Sequence, residues 1–188
     1  LRIQGIQVRL SRKGDEAPGT TKTPFVDGTA IALTGHIQKI GWTSGTNNVG
    51  TTGRSLRMEA ITARLVGCPY SGGIEYEAHV QKIGWQGIRR NGKVAGTTGR
   101  SLRVEAFSLK LTGQAAKHYD IYYRVHVQSY GWLGWACNGQ RAGSQGFAKR
   151  TESIQVRVVA KGGAAPSSNG SVMESRSEEH TSELQSRS

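Results

Sequence analysis

The sequence predicts an all-β domain in which three related units share one core around a pseudo-three-fold axis. Three observations predict it: an internal repeat, apolar/polar alternation in the repeated segments, and Asn-Gly pairs where the copies turn. The run Gly-x-x-Gly-Arg-Ser-Leu-Arg-x-Glu-Ala stands at Gly50–Ala60 and again at Gly96–Ala106. Each follows a His-x-Gln-Lys-Ile-Gly-Trp segment, His36–Trp42 and His79–Trp85. A more diverged copy runs from His126 through Trp132 to Glu152. Trp42, Trp85 and Trp132 are 43 and 47 positions apart, and Glu59, Glu105 and Glu152 are 46 and 47 apart. A repeat of this kind argues for repeated binding surfaces and against a single catalytic centre.

The elements follow in chain order. Leu1–Leu10 align with Leu56–Leu65 and read as the last strand of a truncated preceding repeat. On that reading the chain is a piece of a longer array, and the lack of a signal peptide says nothing about secretion. Ser11–Pro24, rich in Gly, Thr and charge, reads as a linker. One domain is expected over residues 25–160, with copies at 25–67, 74–113 and 121–160. Ile31–Gln38, Ile74–Gln81 and Ile121–Gln128 alternate between apolar and polar, which predicts strands. Leu56–Leu65, Leu102–Leu111 and Lys149–Val159 are rich in aliphatic and β-branched residues and predict a second strand per copy.

Between these strands, Asn91-Gly92 and Asn138-Gly139 predict short type I′ hairpins, since both central positions need positive φ. The first copy is three residues shorter here, reading Thr43–Val49. No segment has an apolar period of 3.6 with helix caps. A sheet of three or four short strands cannot bury its apolar face alone, so three must pack together. A β-prism and a β-trefoil both fit. The long alternating strands favour the prism, as flat sheets around a common core. Residues 161–188 read as a disordered tail, and 176–188 look like the in-frame translation of a sequencing adapter, so they are left out of the fold reasoning.

Composition narrows the function. The net charge is +12, and +13 without residues 176–188, which carry two Arg and three Glu. That suits an anionic partner, but the basic residues are dispersed, which disfavours nucleic acid. No apolar run reaches the roughly 20 residues of a membrane span. Cys68 and Cys137 are not equivalent in the repeat and define no compartment. The symmetry-related glutamates do not form a glycosidase pair. The histidines lack metal-ligand spacing. Gly-Thr-Thr-Gly lacks the Gly-Lys-Ser/Thr ending of a phosphate loop. No enzyme activity, metal or cofactor is expected.

Period-two geometry sorts the repeated side chains. Ile37, Val80 and Val127 point one way, and His36, His79, His126 with Gln38, Gln81, Gln128 the other. Arg57 and Glu59 share a face with their equivalents, while Leu56, Met58 and Ala60 take the core side. The polar set is either a structural network or a hydrogen-bonding surface for sugar hydroxyls. Trp42, Trp85 and Trp132, each after a Gly, either plug the end of the core or stack on a ligand. Trp135 and Tyr130 stand outside the shared scaffold and are the preferred aromatic ligand candidates.

These residues carry a resemblance. His-Val-Gln-x-x-Gly-Trp, then Asn-Gly, then Ala-Gly-Thr-Thr-Gly-Arg-Ser-Leu-Arg-Val-Glu-Ala, resembles the ChW repeat, the clostridial hydrophobic repeat named for its Trp. The third copy departs from it at Gly143–Glu152, which puts any site on its last strand in doubt. The resemblance implies an extracellular or cell-wall module of Gram-positive bacteria, with repeats in groups of three. It implies binding of a glycan, a cell-wall polymer or a surface protein, or a role in adhesion. It carries over no catalytic residue.

Overall fold

The computed structural model describes residues 28–167. The strand read at residues 1–10, the linker at 11–24 and the adapter-like segment 176–188 lie outside the described residues.

The first copy holds β1 (Ala30–Ile37), β2 (Gly41–Thr46), β3 (Asn48–Gly50) and β4 (Met58–Val66). The second holds β5 (Gly72–Val80), β6 (Gly84–Trp85), β7 (Arg89–Arg90), β8 (Ala95–Gly96) and β9 (Val104–Gly113). A single helical turn, α1 (Ala115–His118), leads into the third. That copy holds β10 (Tyr119–Val127), β11 (Gly131–Trp132), β12 (Ala136–Cys137), β13 (Ala142–Gly143) and β14 (Thr151–Ala160). The helical turn was not expected. Its Ala115 is buried, and His118 stacks on Tyr70 with ring centroids 3.6 Å apart.

Three separate sheets surround one core, which is the prism arrangement. The first is ordered β2-β1-β4-β8. The second is β6-β5-β9-β13, with β7 also on β5. The third is β11-β10-β14-β3, with β12 also on β10. Each sheet is built on two long antiparallel strands of one copy: β1/β4, β5/β9 and β10/β14. Their inward residues, Ile31 and Leu33, Ile74 and Tyr76, Ile121 and Tyr123 among them, merge into one buried cluster.

The sheets also exchange their last strands in a ring. β8 of the second copy completes the first sheet, β13 of the third completes the second, and β3 of the first completes the third. This corrects the short-hairpin expectation. The turns are type I′ as predicted, with Asn91 φ 42 and Gly92 φ 90, and Asn138 φ 46 and Gly139 φ 99. Their arms, however, pair with different sheets. Each turn carries the chain across a seam.

A second correction concerns phase. His36 pairs with Ala60 but Ile37 pairs with Met58, so Glu59 is an extra residue in a β-bulge. Glu105 and Glu152 are bulged in the same way. Each bulge moves the following residues to the opposite face. Ala60 therefore sits beside His36 on the outward face, and Ile61 takes the core position.

The two cysteines are free. Residues 161–167, read as the start of a disordered tail, are anchored at two points. Lys161 Nζ and Gly162 N–H bond to the Asp120 carboxylate, and the Ser167 carbonyl accepts from Trp135. Among the described residues, no helix is long and apolar enough to cross a membrane.

Candidate functional site

The bulge builds the repeated site. It turns the Glu59 side chain into the sheet end, where it is only 5% exposed. A buried carboxylate needs compensation, and Arg57, two residues earlier, supplies it. Arg57 Nε and Nη2 lie 2.8 and 2.7 Å from Glu59 Oε1. The second oxygen, Oε2, is 3.0 Å from His36 Nδ1. The contact lies off the ring N–H axis, so it is a close electrostatic pairing without an aligned hydrogen bond. Across the strands His36 faces Trp42, ring centroids 5.2 Å apart at 74°.

The same chain of contacts recurs twice. Arg103, Glu105, His79 and Trp85 form it with Arg–Glu at 2.7 Å, Glu–His at 3.3 Å and ring centroids at 5.5 Å. Arg150, Glu152, His126 and Trp132 form it with 2.9, 3.1 and 5.4 Å. Thus a buried Glu and a partly buried Arg form a structural pair, and they hold an imidazole against an indole. With Nδ1 turned to the carboxylate, Nε2 is the nitrogen left for a partner. Burial pushes the His79 pKa below the usual histidine value, and the Arg141 charge pushes the same way, against the pull of Glu105.

The model of the family described as Clostridial hydrophobic W, ChW, matches residues 36–67, 79–113 and 126–160. The chain belongs to the ChW family. No curated protein and no solved structure matches it. The three matched stretches each begin at the histidine and contain the Trp, the Arg–Glu pair and the bulge.

The ChW copies share this first row and differ around it. Trp42 is 46% exposed. Trp85 is half-buried: its Nε1–H donates to Gln145 Oε1 at 2.9 Å, and the Arg141 guanidinium lies 4.6 Å over its ring. Both partners come from the third copy, across the seam. Trp132 is half-buried with Arg124 at 5.0 Å from its ring. The same guanidinium lies 4.7 Å over Trp135 and is fixed by Gln155 Oε1 at 2.9 Å. Burial, with Arg157 nearby, pushes the Arg124 pKa down.

The remaining candidates lie as follows. Gln38, Gln81 and Gln128 fall one residue past their strands, in the turns leading to the tryptophans. Their backbone N–H groups bond to Arg57, Arg103 and Arg150 carbonyls at 3.0 Å. The Gln38 side chain accepts from Arg57 N–H at 3.5 Å. Tyr130 is 48% exposed and meets Phe147 edge-on, ring centroids 6.5 Å apart. Trp135 is half-buried with its Nε1–H on Ser167, so its polar edge is used within the chain.

Sequence reasoning missed Arg124, Arg141, Gln145 and the pair Thr34–Ser44. Arg124 and Thr34 stand two residues before their histidines, so strand alternation could have found them. Arg141 and Gln145 reach Trp85 from another copy, which no local pattern reveals. Among the described residues there is no cluster of three metal-ligating side chains.

Proposed function

We propose that this domain is a non-catalytic binding module of the cell surface or cell wall that recognises glycans. The observation carrying the reading is Trp42. A large apolar ring stands exposed on a strand, held edge-on by an imidazole that is itself fixed by a buried carboxylate. A preorganised aromatic face beside hydrogen-bonding groups stacks on a sugar ring with little ordering cost. The Arg–Glu pair supports the site from below and is not a catalytic pair. A second reading, electrostatic attachment to anionic wall polymers, is favoured by the net charge of +12.

Salt separates the two. The full chain is tested against neutral glycans and Gram-positive wall polymers at about 0.15 M and about 1 M salt. Binding to a neutral glycan that survives high salt is expected. Binding only to anionic polymers, lost at high salt, would replace glycan recognition with electrostatic attachment. No binding at either salt would leave a scaffold or protein-binding role.

A further inference from the structure

We propose that the three copies do not offer three equal sites. The ligand is held at one site, on the outward face of the first sheet around Trp42, and it is an extended neutral oligosaccharide. This rests on the glycan reading above and narrows it.

The first argument is access. A guanidinium already lies over one ring face of Trp85 and of Trp132. Such a contact is favourable, so a sugar must displace it before stacking. Among the described residues no guanidinium lies over Trp42. The reason is in the seam. The third copy brings Arg141 and Gln145 to Trp85, whereas the equivalent residues of the second copy, beside the first sheet, are Val94 and Thr98. Neither of those can cap an indole with charge.

The second argument is what adjoins the ring. Two residues along each strand from the His–Trp row, the first sheet carries Thr34 opposite Ser44, hydroxyls 3.4 Å apart, with Thr62 on the other side of Thr34. The row of Thr34, Ser44 and Thr62 holds no Lys, Arg, Asp or Glu, and the Glu59 carboxylate beside His36 is paired with Arg57, in a chain of net charge +12. The second sheet has Glu77 at the position of Thr34, and the third has Arg124. Hydroxyls that both donate and accept suit neutral sugar hydroxyls.

The third argument is continuity. β2 is a six-residue edge strand, so Trp42 and Ser44 follow one another on one straight face about 7 Å apart. In the other sheets the corresponding stretch is split into two-residue strands, β6 and β7 or β11 and β12. One ring stacks on Trp42 while the next meets Ser44 and Thr34.

The test uses the full chain with neutral hexasaccharides (cellohexaose, hexa-N-acetylchitohexaose, mannohexaose) in isothermal titration, comparing Trp42→Ala, Trp85→Ala and Trp132→Ala. One ligand per chain is expected. Trp42→Ala should raise Kd at least tenfold and the other two less than twofold. Ser44→Ala should raise it a few-fold. Arg141→Ala should uncover Trp85 and add a second, weaker site. Circular dichroism checks that each variant is folded. Three ligands per chain, or equal losses at all three tryptophans, would overturn the single-site inference while leaving glycan recognition intact. No binding to any of the three sugars, with binding to anionic polymer alone, would overturn both.

Discussion

The seams between copies and the outward faces of the sheets have diverged to very different extents. At each seam a glycine with positive φ (Gly50 118°, Gly96 113°, Gly143 147°) lies flat against the bulge of the preceding sheet. The next residue, Thr51, Thr97 or Ser144, donates its N–H to the carbonyl of the bulged Glu152, Glu59 or Glu105 at 2.9, 2.8 and 2.7 Å. The bulged glutamate thus serves two partners, its side chain holding Arg and His and its backbone holding the neighbouring copy. The outward faces keep only the His–Trp row. Below it they carry hydroxyls, carboxylates or guanidinium. Closing a ring of three leaves no freedom at the seam, whereas each face needs only to stay soluble or to meet its ligand. Repetition here reports the fold, and departure from repetition marks the faces on which the proposed site differs from its counterparts.

Gly96→Ala breaks the seam and should have the largest effect. An added Cβ would lie 2.4 Å from both the Glu59 carbonyl oxygen and Ala60 Cα, and φ is positive. Backbone atoms on both sides cannot yield, so a loss of about 3 kcal/mol or more is expected in urea unfolding. Gly41→Ala is the control: its φ of 85° is also positive, but nothing lies within 4 Å of the added carbon. It should cost about 1 kcal/mol. Equal losses for the two variants would mean that the seam contact contributes nothing beyond backbone strain.

The seam marks the limit of what the sequence made legible. Three copies, two long strands in each and the type I′ turns all follow from spacing, alternation and Asn-Gly. Which sheet a two-residue strand joins does not, because Ala95–Gly96 is too short to carry a pattern and its partner lies in another copy. The bulge was hidden for a related reason. Glu59 in an alternating strand reads as an outward polar residue, and only the pairing register reveals that it is extra. Of the candidate site, the His–Trp row was legible from repetition. The inequality of the three tryptophans was not, since Arg141 and Gln145 reach Trp85 across a seam.

Asp120 separates the third sheet from the others at low pH. It stands where the second copy has Gly73 and the first has Ala30. The Lys161 ammonium, the Gly162 N–H and the Asn138 amide hold its carboxyl down at about 2, against an ordinary 3.8. Between those values the unfolded chain binds more protons than the folded one. Stability from this group is therefore complete above about pH 4 and is lost as pH falls through 2. Asp120→Asn should cost on the order of 1–2 kcal/mol at pH 7 and only a small part of that by pH 2. Urea midpoints of the two proteins measured from pH 7 to 2 should converge. A constant gap would mean that the charge of Asp120 plays no part.

The smallest expected effect tests the turns that lead into the seams. The buried Tyr76 donates its hydroxyl to the Lys93 carbonyl, and the buried Tyr123 does the same to Gln140, each just past its Asn-Gly pair. Burial pushes the Tyr123 pKa up to about 12, so both hydroxyls stay protonated donors at neutral pH. The first copy has the shorter turn and Leu33 at this position: Asn47 accepts from Ile31 N–H at 2.8 Å, as Asn91 and Asn138 do from Ile74 and Ile121 at 3.0 Å, but there is no tyrosine hydroxyl at this position. Tyrosine therefore belongs with the longer turn, which leaves a carbonyl over the core that must be satisfied. Tyr123→Phe keeps the ring and removes the donor, so about 1 kcal/mol should be lost. Tyr76→Phe should match it, and the double variant should sum the two losses, since the turns lie in different copies. If Tyr123→Phe is neutral while Tyr76→Phe is not, Asp120, bonded to Asn138 and to Lys161 and Gly162, is already holding the third copy's turn without the hydroxyl.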